Sequence, residues 1–329
     1  MGRPGASQGR LTSVRPLWAI EGGRIALEGE SFPIGDGLPQ VRIGGQPARI
    51  AAASSTTLSV IVPAGLEGGS TPVRVDELPG ETAFVEIAAP LVSGVHHVDS
   101  PAYDRHGNLY VTFSGSRGQQ APVSIFVVRP DGTREPFVSD LPNPTSLAFD
   151  REGRLYVSSR FDGSVYRVET DGRAALYVGD RSGSVLRVES DTRARVLAAL
   201  PASVAAFHLA FGPDGVLYVT APTLATHDPV YKIGPDRLVD VLCDGFGRPQ
   251  GLAFDSTGAL FVVDALAGAS AVYQIDPAAP RPTPELVVSG PTMIGIAFDP
   301  RGGMVLCSNE TIWHLDVDKQ PWRRPHGGD

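Results

Sequence analysis

The stretch Ser146-Leu147-Ala148-Phe149-Asp150-Arg151-Glu152-Gly153-Arg154-Leu155-Tyr156-Val157 decides the architecture, because the chain repeats it. It returns as Ala102-Tyr103-Asp104…Gly107…Leu109-Tyr110-Val111, as His208-Leu209-Ala210-Phe211…Gly215…Leu217-Tyr218-Val219, and as Gly251-Leu252-Ala253-Phe254-Asp255…Gly258…Leu260-Phe261-Val262. A weaker copy is Gly295-Ile296-Ala297-Phe298-Asp299…Gly302…Met304-Val305-Leu306. Each copy reads as a strand, a tight turn and a second strand. The Asp side chain accepts a hydrogen bond from the backbone two residues on, and the Gly takes a positive φ that other residues resist. The aromatics before the turn, Tyr103, Phe149, Phe211, Phe254 and Phe298, fall at one phase of the pleat and are expected in the layer between neighbouring copies. Copies spaced 41 to 46 residues apart and built of short strands mark a β-propeller, one four-stranded blade per copy.

The Leu-Tyr-Val anchors begin at Leu109, Leu155, Leu176, Leu217, Leu260 and Met304, so the gaps are 46, 21, 41, 43 and 44 residues. The half-length gap predicts that the fourth strand of one blade and the first strand of the next are missing. What remains there, 184–188 and 194–200, is a hairpin. The reading is six blades with the third incomplete; five blades carrying an extra hairpin is the alternative. The last copy supplies only three strands before a polar tail at 318–329. A ring must hide its edges, so residues 91–98 are expected to complete that blade.

Residues 11–88 do not share the repeat. Alternating segments such as Arg24-Ile25-Ala26-Leu27-Glu28-Gly29 and Thr57-Leu58-Ser59-Val60-Ile61-Val62, punctuated by Gly and Pro, read as the short strands of a small β-sandwich. Val14-x-Pro16, Gly22-Gly23, Leu27-x-Gly29-x-x-Phe32, Val41-x-Ile43-Gly44-Gly45, Val60-x-Val62-Pro63, Gly68-Gly69 and Val73-x-Val75 together resemble the IPT/TIG immunoglobulin-like domain. That resemblance implies a spacer or binding platform here, since no basic surface for DNA is present. The repeat, over residues 91–317, is similar to the NHL and SMP-30/gluconolactonase-like propellers. Fold resemblance of this kind says little about activity, because propellers host many functions. The expected chain is therefore all-β: an Ig-like β-sandwich at 11–88, a six-bladed propeller at 91–317 and the tail.

Composition narrows the partners. With 28 basic and 36 acidic residues the net charge is −8, which argues against a nucleic-acid partner. The 38 glycines and 29 prolines lie between regular strands and so mark turns. Cys243 and Cys307 fall in different copies, which does not make a disulfide framework. The first ten residues contain no apolar stretch and no later run approaches a membrane span. As written the chain is expected in the cytoplasm, with no membrane partner; a misplaced start would make it an exported protein.

The search for chemistry leaves one place. The two lysines, Lys232 and Lys319, do not belong to a phosphate-binding Gly-rich loop, and Ser116 and Ser182 lack the Gly-x-Ser-x-Gly spacing of a nucleophile elbow. His96 and His97 are neighbours on a strand and point to opposite faces, so they do not chelate one metal together. The axial channel remains, where a propeller gathers the starts of its innermost strands. Similarity to the SMP-30-like lactonases implies oxygens from several blades around a divalent cation that polarises a lactone. It assigns Asp99, in Asp99-Ser100-Pro101-Ala102-Tyr103, to the family's Glu position, and Gln250, in Pro249-Gln250-Gly251-Leu252-Ala253, to its amide. The equivalent positions are Thr145, Phe207 and Ile294, and the third blade has lost its own.

Two oxygens, one of them charged, fall short of the cage that Ca²⁺ or Mg²⁺ requires. No metal, whether Ca, Mg or Zn, and no other cofactor is therefore expected, with Asp99 and Gln250 the weak candidates. His208 stands where other copies carry a small residue and reads as packed or channel-lining. Asp99, Thr145, His208 and Gln250 are the channel candidates, and none is assigned a catalytic role. The function expected is non-catalytic binding, with one propeller face and the channel mouth holding a protein, a glycan or a small-molecule ligand. The competing expectation is a metal-dependent lactone hydrolase of the gluconolactonase kind, or a lyase, or a degenerate copy of either.

Overall fold

The computed structural model describes residues 9–35, 37–76, 78, 82–95, 100–113, 121–139, 141, 143–149, 153–159, 165–168, 176–180, 182–190, 193–265 and 270–318. Among these, regular structure is entirely β, and no helix is long and apolar enough to cross a membrane. The N-terminal strands are β1 (Arg10–Arg15), β2 (Trp18–Ala19), β3 (Arg24–Glu30), β4 (Val41–Ile43), β5 (Gln46–Ala53), β6 (Thr57–Ile61), β7 (Gly69–Val75) and β8 (Ala83–Ile87). They are hydrogen-bonded in the order β1-β3-β6-β5-β4-β7-β8-β2. The period-2 pattern sends Ile25 and Leu27, Val41 and Ile43, Leu58 and Val60, Val73 and Val75, and Val85 and Ile87 into one core with Val14 and Phe32. Because β1 lies against β8, the sheet folds over that core. At the β4–β5 hairpin Gly44 and Gly45 both have positive φ, 59° and 80°, as a two-residue turn of the primed kind demands.

After β9 (Ala89–Ser93) the chain enters the repeats. The first sheet is β10 (Ala102–Tyr103), β11 (Leu109–Thr112), β12 (Ile125–Val128) and β13 (Arg134–Val138). Two three-stranded sheets follow: β14 (Pro144–Phe149), β15 (Leu155–Ser159) and β16 (Val165–Val168), then β17 (Leu176–Asp180), β18 (Ser184–Ser190) and β19 (Arg193–Ala199). Four-stranded sheets resume with β20 (His208–Phe211), β21 (Leu217–Thr220), β22 (Asp228–Ile233) and β23 (Val239–Phe246). Next are β24 (Pro249–Phe254), β25 (Leu260–Asp264), β26 (Ala271–Ile275) and β27 (Glu285–Ser289). Last come β28 (Gly295–Phe298), β29 (Gly303–Cys307) and β30 (Thr311–Asp316), which take up β9. Thus four sheets are four-stranded runs, and the two three-stranded ones flank the half-length gap, where 169–175 lie outside the described residues.

The turns form as the repeat dictates. Asp104 Oδ1 accepts from the N–H of His106 at 2.8 Å and of Asn108 at 2.9 Å, and Asp255 Oδ1 accepts from those of Thr257 and Ala259 at 2.9 and 3.0 Å. One copy differs: in Gly212-Pro213-Asp214-Gly215 the carboxylate comes two residues later, and it accepts from Val216 N–H at 3.1 Å and the Tyr218 hydroxyl at 2.9 Å. Three of the five inner aromatics, Phe149, Phe254 and Phe298, lie against a ring of the preceding repeat. Tyr110 meets Phe149, Tyr218 meets Phe254 and Phe261 meets Phe298, each edge-to-face with centroids 5.1 Å apart.

Two relationships differ from the sequence reading. The strand completing the last sheet is Ala89–Ser93, antiparallel to β30 with Ser93 opposite Thr311 and Val92 opposite Ile312, whereas 96–99 lie outside the described residues. It covers the outer edge; the inner strand β28 already has β24 and β10 beside it. Second, the N-terminal module shares a sheet with one of the repeats. Trp18 and Ala19 pair in parallel with Glu86 and Ile87 of β8 on one side and with Val288 and Ser289 of β27 on the other, giving one twelve-stranded sheet. Ser289 uses both its oxygens there, its carbonyl accepting from Ile20 N–H at 2.9 Å and its hydroxyl from Arg24 N–H at 2.7 Å. Ile20 and Ala88 are buried in the same cluster as Phe261, Val263, Val272, Val288 and Met293. The physical reason is that β27 is the outer strand of its repeat, and an edge left open there costs backbone hydrogen bonds.

Candidate functional site

Each inner strand starts where its second strand ends. Pro144 lies opposite Ser159, His208 opposite Thr220, Pro249 opposite Asp264 and Gly295 opposite Cys307, so these residues share one end of the repeat array. Two inner strands are bulged there. Register shifts between Pro144 and Leu147 and between Pro249 and Leu252 place Thr145–Ser146 and Gln250–Gly251 in bulges, which re-aim side chains and often border sites. Gly251 is required by close approach: its N–H donates to Ile294 O at 2.9 Å, and an added Cβ would come within 2.8 Å of that oxygen.

The channel candidates fare differently. Thr145, 8% exposed, has its hydroxyl 3.0 Å from Ser158 Oγ and 3.3 Å from Ser158 O, so it is engaged within its own repeat. Gln250 is 6% exposed; its carbonyl accepts from the Thr220 hydroxyl, while its carboxamide makes no hydrogen bond to any described residue. His208 is 5% exposed on β20, which lies beside β24. Asp99 lies outside the described residues, although Ser100 bridges in parallel to Ser146 at the β14 bulge. The structure therefore sets His208 and Gln250 on adjacent strands, with Thr145 apart on β14, next to β10.

Three residues at this end went unnoticed in the sequence. Asn143, just before β14, has φ 42°, is 9% exposed, and its Oδ1 is buried without a hydrogen-bond partner among the described residues. Asp264, 5% exposed, accepts from Gly247 N–H at 3.0 Å and Arg248 N–H at 2.6 Å and so shapes the approach to Gln250. Asp228, 1% exposed, accepts from the amide and hydroxyl of Thr223 at 2.9 and 2.7 Å. The legible signal for Asp264 was a carboxylate closing Leu260-Phe261-Val262-Val263, the strand whose end faces Gln250. Burial, and then the charge of Asp264, pushes the Tyr273 phenol up; burial and Asp228 do the same to Tyr231. Burial and the charge of Asp244 push the Cys243 thiol up to about 11, so it is not a thiolate nucleophile at neutral pH.

The described candidates do not by themselves supply a hard-cation site, and Asp99, the charged candidate, lies outside the described residues. The Thr145 hydroxyl is committed, Phe207 and Ile294 offer no side-chain oxygen, and Gln250 brings one neutral amide oxygen. Among the described residues no three His, Cys, Asp or Glu side chains converge as metal ligands. Among the described candidates that leaves one amide oxygen, against the six to eight oxygens of a calcium site.

Comparison with known proteins addresses the fold. Residues 10–81 match the family model described as the IPT/TIG domain. Among curated proteins, none matches. Among solved structures, a structural genomics protein of unknown function from Bacteroides thetaiotaomicron VPI-5482 is similar with TM-score 0.50 at 14% identity, over 95% of this chain and 99% of that one. An auxiliary nutrient binding protein from the same organism gives TM-score 0.50 at 14% identity, over 93% and 97% of the two chains. A luciferin-regenerating enzyme gives TM-score 0.53 at 14% identity, over 71% of this chain and 95% of that one. At such identities the likeness is one of fold. The chain thus carries an IPT/TIG domain ahead of a β-propeller fold.

Proposed function

We propose that this chain is a binding protein that holds a glycan or small polar ligand at the inner-strand starts, within a six-bladed ring whose third blade is incomplete. The observation that carries the reading is Gln250: a carboxamide on a residue 6% exposed, at the bulged start of an inner strand beside the strand of His208, with no hydrogen bond to the described residues. A carboxamide with two donors and an acceptor to spare at a channel mouth is suited to a ligand's hydroxyls. The buried Asn143 Oδ1 at the same end, without a hydrogen-bond partner among the described residues, supports it. Asp228 and Asp264 already hold backbone and hydroxyl donors, which leaves the neutral groups of the described residues to meet the ligand.

The auxiliary nutrient binding protein that shares this arrangement is, by its name, a binding protein, which agrees with the reading. No cation or other cofactor is part of it. A thermal-shift screen of monosaccharides, oligosaccharides and aldonolactones, run with and without Ca²⁺, Mg²⁺ and Zn²⁺, tests it. The expected result is a metal-independent rise in melting temperature with a sugar, lost in Gln250→Ala. Turnover of an aldonolactone that requires a divalent cation would replace the reading with a lactone hydrolase.

A further inference from the structure

At the inner-strand starts the outer strand of one repeat hands over to the inner strand of the next, and one of these crossings is gripped by the N-terminal module. It runs through 290–294, from the end of β27 to the start of β28. Its residues meet the module one after another. Ser289 accepts from Ile20 N–H at 2.9 Å through its carbonyl and from Arg24 N–H at 2.7 Å through its hydroxyl. Gly290 lies so close to the Ile20 side chain that a Cβ there would collide with it, and a Cβ at Gly22 would stand 3.0 Å from Pro291 Cγ. Met293 is fully buried in the cluster of Ile20 and Ala88. The module's side of the grip is tied down in turn: Gly22 N–H donates to Val62 O at 3.0 Å, Val62 N–H to Gly23 O at 2.9 Å, and Gly23 N–H to Ile20 O at 3.0 Å.

The far end of the same crossing reaches Gln250. Ile294 N–H donates to Cys307 O at 2.8 Å, and Ile294 O accepts from Gly251 N–H at 2.9 Å. That N–H belongs to the Gln250–Gly251 peptide inside the β24 bulge, whose carbonyl accepts from the Thr220 hydroxyl. One peptide is thus held from both sides, by the repeat before it and by the crossing after it. Midway along the crossing Thr292 has φ 53°, a left-handed conformation that a β-branched residue adopts only where its surroundings impose it. Thr292 is exposed, so what imposes it is the fixing of the chain on either side, at Ser289 by the module and at Ile294 by Cys307 and Gly251.

We infer that Ser289 is a positioning residue: through it and the strained crossing, the N-terminal module sets the place of the Gln250 bulge and so of the carboxamide at the channel mouth. The functional weight of this rests on the binding reading of Gln250. When the grip on Ser289 is loosened, Thr292 relaxes toward negative φ, the Ile294 carbonyl moves, and the Gly251 amide loses its acceptor. The module is in this way a working part of the ligand site, although it supplies no group that touches the ligand.

Two conservative variants of the full chain test it by NMR and residue-resolved hydrogen exchange. Ser289→Ala removes the acceptor of Arg24 N–H, and Ile20→Val trims the module side chain that faces Gly290. Each is expected to speed exchange of the Gly251 amide about tenfold relative to the amides of β25, and to shift the side-chain amide resonances of Gln250. Ser124→Ala is the control, because its hydroxyl also ties two segments, donating to Leu141 O at 3.0 Å and accepting from Leu141 N–H at 2.9 Å, but in the first repeat. It is expected to leave the Gly251 rate, relative to β25, within about twofold and the Gln250 resonances unmoved. A purely structural role for Ser289 would speed Gly251 and β25 together. That result, unmoved Gln250 resonances in Ser289→Ala, or the same response in Ser124→Ala overturns the inference. No sugar is added, so failure here is told apart from failure of the binding reading, which Gln250→Ala decides in the thermal-shift screen.

Discussion

Trp18 lies in parallel register with Val288, so a two-residue strand of the N-terminal module continues the sheet of a distant repeat. The consequence is mechanical: the module and that repeat share backbone hydrogen bonds and the apolar cluster containing Ile20, Val288 and Met293.

Coupling of this kind predicts one unfolding transition. Gly290 is packed so closely that an added Cβ would lie 2.2 Å from Ile20 Cγ1. Gly290→Ala is expected to cost about 1–3 kcal/mol by overpacking and to lower the melting of both modules together. Calorimetry that resolves two transitions, only one of them shifted, would contradict the shared sheet.

The turn carboxylates should differ sharply in worth. Asp255 is fully buried and accepts from Thr257 N–H, Thr257 Oγ1 and Ala259 N–H, whereas the exposed Asp276 accepts from Ala278 N–H. Asp255→Ala is expected to cost about 1–3 kcal/mol in denaturant unfolding, and Asp276→Ala less than about 0.5 kcal/mol. Equal losses at the two sites would mean that burial of the turn does not matter.

Acid should weaken the propeller through specific groups. Asp104 and Asp299 are both held below the ordinary carboxylate range: burial opposes this, but hydrogen bonds from Asn108 and the His106 amide outweigh it at the first, and those from Arg301 do so at the second. A lowered folded-state pKa gives stability that is present above the unfolded value and is lost as pH falls through the folded one. Denaturation midpoints are therefore expected to fall below about pH 4, with a shallower fall in Asp299→Asn. The same slope in that variant would remove Asp299 from the account.

Much of this was legible because repetition is a strong signal. The spacing of the Phe-Asp-x-x-Gly turns located the hairpins, the fixed phase of Phe149, Phe254 and Phe298 located the layers between repeats, and the half-length gap before Leu176 located the two shortened sheets. The Trp18–Ala19 strand was not legible, since two residues carry no periodicity and parallel pairing depends on a distant edge. The closing strand was placed two residues late, because apolar pattern alone does not fix where a short strand begins. Among the site residues, Gln250 could be singled out by its place in the repeat. Asp264 closes its strand and could have been flagged from that position, whereas Asn143 could not, since its importance rests on burial.

Calorimetric titration of the sugar selected by thermal shift, in EDTA, into wild-type protein and Gln250→Ala is the most direct test of the binding site. The account predicts saturable, metal-independent binding that weakens at least about tenfold when the Gln250 carboxamide is removed, the worth of a buried hydrogen bond or two. Binding of unchanged affinity in Gln250→Ala, or binding that appears only when a divalent cation is restored, would contradict it.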